Sequence, residues 1–207
     1  MTANLAVLAS GRGTNLQAII EAWQAGRLPV DIVGVVSDNP DAQALERARA
    51  HGLRAAVLPA ALYPDRRAYG AALVELLKSW GTDMVALAGF MRLVDPVVVR
   101  AFPNRILNIH PALLPAFPGL HAQRQALQYG VRVSGCTVHL VDEGMDTGPI
   151  VLQAAVPVFP DDTEETLAAR ILKEEHRLYP EAIRLLAAGR LKVEGRRVYI
   201  SPEEVTL

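Results

Sequence analysis

The stretch that decides the fold runs from residue 5 to residue 36 and reads LAVLASGRGTNLQAIIEAWQAGRLPVDIVGVV. An apolar strand is predicted at residues 5–8, an amphipathic helix at residues 16–25 before Gly26, and a second apolar strand at residues 32–36. A strand, a helix and a strand in this order predict a parallel βαβ unit, because parallel neighbours need a crossover connection that is usually helical.

The same alternation of strands and helices continues along the chain. Asp162 and Glu165 have capping-box spacing and open a long helix that runs past Pro180 and ends at Gly189. The other predicted elements are strands at 55–58, 84–88, 107–109 and 137–141, helices at 42–50 and 69–80, and a hairpin of strands 191–194 and 197–200. The fold class is therefore α/β: a mostly parallel twisted sheet with helices on both faces, Rossmann-like, with a C-terminal β-hairpin.

Composition restricts the classes of function. The 207 residues carry 21 basic and 22 acidic side chains, a formal charge of −1, which lacks the excess of positive charge expected of a nucleic-acid surface. No apolar run approaches the roughly 20 residues of a membrane span. The start has no charged segment before its first strand, so we expect no signal peptide. Cys136 is the single cysteine and is expected to be a packed thiol. We therefore expect a cytoplasmic protein with small-molecule substrates and neither a nucleic-acid nor a membrane partner.

Residues 11–15, Gly-Arg-Gly-Thr-Asn, lie between the first strand and the first helix. Glycines let the backbone approach a ligand, and the first N–H groups of a helix point at it, so a phosphate is the expected guest. Most Gly-x-Gly loops are tight turns without a ligand, and the loop alone leaves both interpretations open. A dinucleotide fingerprint would need a third glycine near Leu16 and an acid where Ser37 stands, which favours a monophosphate over NAD.

Two clusters of polar residues follow later strands. Asn108-Ile109-His110-Pro111 carries an amide and an imidazole two residues apart, on one strand face. Residues 142–149 form a glycine-containing loop with carboxylates after the strand that contains His139. An amide donor, an imidazole and a carboxylate are the groups that hold an oxyanion and move a proton. A lone His110 would more often be structural, but together the clusters predict an acyl-transfer site at the carboxyl ends of strands.

In this order and spacing, the motifs resemble those of the phosphoribosylglycinamide formyltransferases, folate-dependent enzymes of purine biosynthesis. The resemblance covers nearly the whole chain: residues 10–15, Ala88-Gly89-Phe90-Met91-Arg92, both clusters, Glu175-His176 and Tyr179-Pro180. It implies a single formyltransferase domain over residues 1–207 with the Rossmann-like formyltransferase fold. Residues 1–103 would form a phosphate-binding half, and residues 104–207 a catalytic and folate-binding half.

The resemblance also implies the site residues and ligands. The residues expected to bind phosphoribosylglycinamide are Gly13, Thr14, Asn15 and Glu175. Those expected to bind folate are Arg66, Met91, Arg92, Leu93, Val94, Asn108, Asp142, Glu143, Gly144, Met145 and Asp146. The formyl donor would be 10-formyltetrahydrofolate. No metal is expected, because the histidines and carboxylates lack metal-ligand spacing. The protein would be a monomer or a homodimer.

Asn108, His110 and Asp146 would be catalytic in a direct attack of the glycinamide amine on the formyl carbon, through a tetrahedral intermediate. Asn108 and His110 would donate to the oxyanion, and His110 would relay a proton. Asp146 would hold His110, raise its pKa and orient a water. His139 is expected to support the pocket and His121 to fix its loop. A cis peptide bond is a candidate at residues 114–115, Leu-Pro.

Three other functions remain open from the sequence. A methionyl-tRNA formyltransferase would need a further C-terminal domain and a basic RNA surface, and neither is expected here. A formyltetrahydrofolate hydrolase would carry an N-terminal regulatory domain, whereas the first strand is expected from Leu5. A non-catalytic nucleotide-binding module would use only residues 11–15 and would leave the Asn108, His110 and Asp146 grouping unexplained.

Overall fold

The computed structural model describes residues 2–202 and, within them, a seven-stranded sheet and a two-stranded sheet. The strands are β1 (Ala3–Leu8), β2 (Val30–Ser37), β3 (Ala55–Val57), β4 (Met84–Leu87), β5 (Ile106–His110), β6 (Val133–Leu140), β7 (Ile150–Pro157), β8 (Leu191–Glu194) and β9 (Arg197–Ile200). The helices are α1 (Thr14–Gln24), α2 (Gln43–Ala50), α3 (Arg66–Ser79), α4 (Pro96–Ala101), α5 (Ala122–Tyr129) and α6 (Glu164–Ala187), with a 3-10 turn at Ala60–Leu62.

The large sheet has the strand order β3-β2-β1-β4-β5-β6-β7. The strands from β3 to β5 pair in parallel, whereas β6 is antiparallel to both β5 and β7. The sheet is thus mostly parallel, and β8 and β9 form the expected C-terminal hairpin. The predicted fold class is confirmed.

Apolar residues cover both faces of the large sheet. One face packs on α1 and α6, with Leu16, Ile19 and Ile171 fully buried. The opposite face packs on α3 and α4, and Leu73 and Val98 belong to that second cluster. Burial of these side chains at about 25 cal/mol per Å² of apolar surface is the main stabilising contribution to the sandwich of helices and sheet. No helix within residues 2–202 combines the length and apolarity needed to cross a membrane.

The long helix begins differently from the prediction. Its N-cap is Thr163, whose hydroxyl accepts from the backbone N–H of Thr166 at 3.3 Å, while the Thr166 hydroxyl accepts from the N–H of Thr163 at 2.9 Å. The predicted capping box of Asp162 and Glu165 is therefore wrong. Asp162 instead accepts two hydrogen bonds from the guanidinium of Arg170, at 2.7 and 2.8 Å. The helix does continue past the buried Pro180, as expected.

Three elements were not predicted: β7, α4 and α5. Helix α5 has eight residues and starts after His121, which has a positive φ of 59° in place of an ordinary capping conformation. Strand β7 ends at Pro157 and alternates buried with exposed side chains over its second half. Short length weakens the periodic signal of α4 and α5, with six and eight residues, and in β7 the buried and exposed positions of residues 154–157 are all apolar, so its alternation is not visible in the sequence.

Candidate active site

A cleft of about 500 Å³ opens where β4 and β5 end. Its walls come from the loop after β4, the end of β5, the loop before α5 and the loop between β6 and β7. The lining residues are Leu87, Gly89, Phe90, Met91, Arg92, Leu93, Val94, Asn108, Ile109, His110, Pro111, Gly119, Leu120, His121, Gln123, His139, Val141, Gly144, Met145, Asp146 and Glu164. The structure thus brings the three expected catalytic residues and six further residues of the expected folate site to one cavity.

Asn108 and His139 occupy paired positions on the antiparallel strands β5 and β6. The Nδ2 atom of Asn108 lies 3.1 Å from Nε2 of His139, and Nδ1 of His139 lies 2.9 Å from the carbonyl of Leu140. A carbonyl only accepts, so Nδ1 of the neutral ring carries the proton and Nε2 accepts from the Asn108 amide. His139 therefore orients Asn108 directly, a contact that the sequence analysis missed because it could not establish the register of β5 and β6.

His110 is buried, with 4% of its surface exposed. Its Nε2 lies 2.8 Å from the carbonyl of Phe117, and its Nδ1 lies 3.4 Å from Oδ2 of Asp146. Nε2 must donate to that carbonyl, which leaves Nδ1 of the neutral ring as an acceptor beside the carboxylate. Burial lowers the pKa of His110 and outweighs the charge of Asp146, which raises it. Asp146 thus raises the pKa of His110, in the expected direction, but the net pKa lies below its ordinary value because burial has the larger effect.

Asp146 sits in the left-handed region with φ 54°. Its Oδ2 accepts from the backbone N–H of Gly119 at 2.7 Å, and its Oδ1 lies 3.5 Å from Nδ2 of Asn108 and 3.6 Å from Nε2 of His139. Burial raises the pKa of Asp146, but the nearby His139 ring, the N–H of Gly119 and the His110 ring together hold it below its usual value. The carboxylate therefore stays ionised at neutral pH.

The loop that carries Asp146 is held by its own side chains. Oδ1 of Asp142 accepts from the N–H of Gly144 at 3.1 Å and from the hydroxyl of Thr147 at 2.6 Å. The exposed Glu143 pairs with Arg100 at 2.8 Å. Asp142 and Glu143 are not among the residues that line the cleft, whereas Gly144, Met145 and Asp146 of the same loop are. The expected contact of Asp142 and Glu143 with folate stays a prediction.

The glycine loop meets the long helix α6 through one buried hydrogen bond. Nδ2 of Asn15 donates to Oε2 of Glu175 at 2.7 Å, and Oδ1 of Asn15 has no hydrogen-bond partner among the described residues. Burial raises the pKa of Glu175, and the bond from Asn15 opposes that rise. Residues that lie 160 positions apart in sequence thus form one polar site next to the cleft-forming strands.

Gly13 caps α1 with φ 70°, and a Cβ there would approach Cα and Cβ of Ala44 to 2.8 Å. A side chain at this position would be strained by both the backbone angle and the contact. Thr14 lines a second cavity of about 290 Å³ together with Arg47 and His176. Of the four residues expected to bind phosphoribosylglycinamide, Thr14 lines this second cavity, Gly13 and Asn15 flank it in sequence, and Glu175 is bonded to Asn15. Their role in binding stays a prediction.

Arg66 does not reach the cleft. It begins α3, with Nε 3.3 Å from Oδ2 of Asp95, and is absent from the cleft lining.

Burial raises the pKa of Cys136 to about 12, which agrees with a packed thiol. Leu114-Pro115 is a cis peptide bond, as anticipated. Within residues 2–202 no three histidine, cysteine or acidic side chains are grouped to hold a metal ion.

Comparisons with known proteins agree with this fold. The formyl transferase family model matches residues 3–183. The chain belongs to the formyl transferase family.

Among relatives of similar length, the phosphoribosylglycinamide formyltransferase of Escherichia coli (strain K12) is 42% identical, with 98% of this chain and 95% of that protein covered. The chain is also 47% identical to the trifunctional purine biosynthetic protein adenosine-3 of Drosophila melanogaster over 89% of its own length, but it spans only 14% of that protein. The expected resemblance and the expected class of enzyme, a formyltransferase of purine biosynthesis, are confirmed.

Two solved structures are similar to this chain, one at high and one at low sequence identity. Glycinamide ribonucleotide transformylase 1 from Symbiobacterium toebii has 60% identity and a TM-score of 0.96, with 97% of this chain and 95% of that chain covered. A formyltetrahydrofolate deformylase from Pseudomonas syringae pv. tomato str. DC3000 has 26% identity and a TM-score of 0.90, with 98% of this chain and 67% of that chain covered. Transferases and a deformylase therefore share this fold, so the fold alone does not determine which substrate accepts the formyl group.

Proposed function

We propose that this protein transfers a formyl group from 10-formyltetrahydrofolate to the amine of 5'-phosphoribosylglycinamide. The observation that carries the proposal is the convergence of Asn108, His110, His139 and Asp146 on one cleft, with each histidine within 3.6 Å of the carboxylate. The buried pair of Asn15 and Glu175 provides a second polar site for the acceptor.

The cleft has the size and chemistry for the folate. A pterin has a flat apolar face and an edge rich in donors and acceptors, and pockets of about 300–1,000 Å³ are the usual size for such ligands. Met91, Leu93, Val94 and Met145 supply apolar walls, and the backbone beside them supplies polar groups. The bound donor supplies the formyl carbon. Arg92 belongs to the same loop and lines the cleft, whereas Arg66 would need to leave its ion pair with Asp95 to contact the folate.

The acceptor site rests on the loop before α1 and on α6. The N–H groups of Thr14 and Asn15 at the start of α1 would bind the phosphate, because helix N-termini stabilise anions. Glu175 is buried and its carboxylate already accepts from Asn15, so it would orient the glycinamide amine by accepting a hydrogen bond. Burial raises the pKa of Glu175, while the hydrogen bond from Asn15 stabilises the carboxylate that would accept from the amine.

Three side chains divide the chemistry. Asn108, oriented by His139, would exchange its long amide contact with Asp146, at 3.5 Å, for a hydrogen bond that stabilises the oxyanion as the amine attacks. His110 would take up a proton at Nδ1, since its Nε2 is bonded to the Phe117 carbonyl. Asp146 would stabilise the protonated ring and orient the water that carries the proton to the folate nitrogen. The amine–carbon bond forms and the carbon–folate nitrogen bond breaks, and the tetrahedral intermediate lies between the two steps.

One assay tests the proposal: release of tetrahydrofolate from 10-formyltetrahydrofolate with and without phosphoribosylglycinamide. Release that depends on the amine is the expected result. Release without the amine would identify a hydrolase like the deformylase neighbour, and no release in either condition would leave a binding module; either would overturn the proposal. The small-molecule partners follow from this reaction. The division into a phosphate half (residues 1–103) and a catalytic half (residues 104–207), the monomer or homodimer, the absence of a metal and the cytoplasmic location stay predictions.

A further inference from the structure

We infer that Ser10 is a positioning residue that fixes the proposed folate loop (residues 89–94) relative to the proposed phosphate loop (residues 11–15). The inference rests on the proposed function, because those two loops are the donor and acceptor sites named there. Ser10 lies between them in space and directly precedes the phosphate loop in sequence.

Ser10 holds the start of the folate loop at two points. Its backbone N–H donates to the carbonyl of Gly89 at 3.0 Å, and its hydroxyl accepts from the backbone N–H of Met91 at 2.9 Å. A single residue therefore binds both ends of the three-residue segment with which the folate loop leaves β4. The neighbouring Gly89 has a positive φ of 74°, so this segment turns sharply at that point.

The same hydroxyl is fixed from a third strand. It donates to Oδ1 of Asp38 at 2.6 Å, in the segment that follows β2. Asp38 is mostly buried, with 13% of its side chain exposed, and its Oδ2 lies 3.8 Å from Nη1 of Arg92. Because the hydroxyl has one proton, donation to Asp38 directs its lone pairs towards the N–H of Met91.

The backbone carbonyl of Ser10 completes the set by accepting from Nδ2 of Asn39 at 3.3 Å. All polar atoms of Ser10 are thus bonded, and they join the ends of β1, β2 and β4. A formyl carbon and an amine held by different loops must meet within reacting distance, where misplacement by about 1 Å can cost about a hundredfold in rate. Ser10 connects the two loops directly.

The test measures the affinity of each ligand for Ser10→Ala by calorimetry, with tetrahydrofolate and phosphoribosylglycinamide as probes. We expect the dissociation constant for tetrahydrofolate to rise about tenfold, because the Met91 N–H and the Asp38 carboxylate both lose a partner. The constant for phosphoribosylglycinamide should change less than about twofold, because the N–H groups of residues 13–15 are untouched. Ser79→Ala is the matched control, since its exposed hydroxyl donates to the carbonyl of Leu76 within helix α3.

Asp38→Ala and the double variant provide the second measurement. If Ser10 and Asp38 act as one unit, the double variant should bind tetrahydrofolate no more weakly than Ser10→Ala, as in a coupled double-mutant cycle. Should Ser10→Ala fail to fold, Asp38→Ala alone carries the test and should weaken tetrahydrofolate about threefold or more.

An unchanged tetrahydrofolate constant would overturn the inference, and so would an equal loss for both ligands or fully additive effects. These measurements use binding alone, so they stand apart from the turnover assay of the proposed function. If the wild-type protein binds both ligands without transferring formyl groups, the proposed function is rejected. The role of Ser10 is then still decided by the dissociation constants of the Ser10 and Asp38 variants.

Discussion

The amide of Asn108 and the ring of His139 face each other across β5 and β6, with Nδ2 3.1 Å from Nε2. Because Nδ1 of His139 is bonded to the carbonyl of Leu140, the ring accepts and the amide donates. One amide N–H is therefore committed to His139, and Nδ2 makes only a long contact, 3.5 Å, with Oδ1 of Asp146, which a developing oxyanion would replace. The orientation is set before substrate binds, which is the condition for electrostatic stabilisation of a transition state.

Asn108→Ala should therefore lower turnover more than substrate affinity. The donated hydrogen bond strengthens only as the oxyanion forms, so we expect kcat to fall about 10²–10³-fold with a small change in KM. Steady-state kinetics with both substrates measures this. Asn4→Ala, at the opposite end of β1, removes an amide bonded to Gly81 and should leave kcat unchanged. A rise in KM alone would remove Asn108 from the oxyanion site.

Asp146→Asn should fold and lose most of its turnover. The substitution keeps the size of the side chain but removes the charge that stabilises protonated His110, at 3.4 Å. The loss should be about 10²-fold or more in kcat, measured beside circular dichroism to verify folding. Asp31→Asn, an exposed residue of β2, is the matched control. Wild-type turnover of Asp146→Asn across neutral pH would contradict the role assigned to this carboxylate.

The sequence predicted the sheet because long apolar strands and amphipathic helices leave strong periodic patterns. It also indicated Asn108, His110 and Asp146, and the structure brings them together, although their roles stay proposals. The helix cap was misplaced because Asp162 and Thr163 are adjacent and both suit an N-cap. Only the structure shows that the carboxylate of Asp162 is bonded to Arg170, so that Thr163 caps the helix instead.

The contacts that tune the site were beyond the sequence for a different reason. His110 is bonded to the carbonyl of Phe117, and Asp146 to the N–H of Gly119. Because every residue has a backbone carbonyl, and nearly every one a backbone N–H, the sequence cannot indicate which of them will be partners. Likewise, the pairing of His139 with Asn108 depends on strand register, and the pKa of His110 depends on burial. Each of these quantities is set by three-dimensional packing, which periodicity does not encode.

The pKa of His110 predicts a pH dependence of stability. Burial holds its pKa below the ordinary 6.5, so the unfolded chain binds more protons between the lowered value and 6.5. The free energy of unfolding should therefore fall as pH drops through this window, with His176 contributing in the same direction. Asp146 has a lowered pKa, so its contribution is present above its unfolded value near 4 and does not affect this window.

Urea unfolding between about pH 5 and 8 measures this slope. His110→Gln should flatten it, because the variant has no group at that position to protonate. His176→Gln should remove a separate share, since burial lowers the pKa of that ring as well. A wild-type slope in the His110 variant would show that His110 titrates as it does in the unfolded chain.

Glu175→Gln should weaken the acceptor substrate selectively. Glu175 is 7% exposed and its carboxylate accepts from Asn15. The substitution replaces the carboxylate by an amide of similar size, so the hydrogen-bond acceptor changes while the packing of the protein is kept. Binding of phosphoribosylglycinamide should weaken by about 1.5–3 kcal/mol, the range for hydrogen bonds to charged groups. Calorimetry with that substrate and with tetrahydrofolate measures it, and tetrahydrofolate binding should barely change.

Its neighbour Glu174 is the matched control for this substitution. The partly exposed Glu174 makes a surface ion pair with Arg177 at 2.7 Å, so Glu174→Gln should change neither affinity appreciably. Unchanged substrate affinity in Glu175→Gln, or an equal loss for both ligands, would remove Glu175 from the acceptor site.

The central claim is that the cleft moves a formyl group directly from folate nitrogen to amine. A single-turnover reaction with 10-formyltetrahydrofolate labelled with ¹³C in the formyl group, in the presence of phosphoribosylglycinamide, tests this most directly by NMR. The account predicts that the label appears in the formylated glycinamide product in equal amount to the tetrahydrofolate released. Label in free formate, or on the protein, would contradict direct transfer through the Asn108, His110 and Asp146 site.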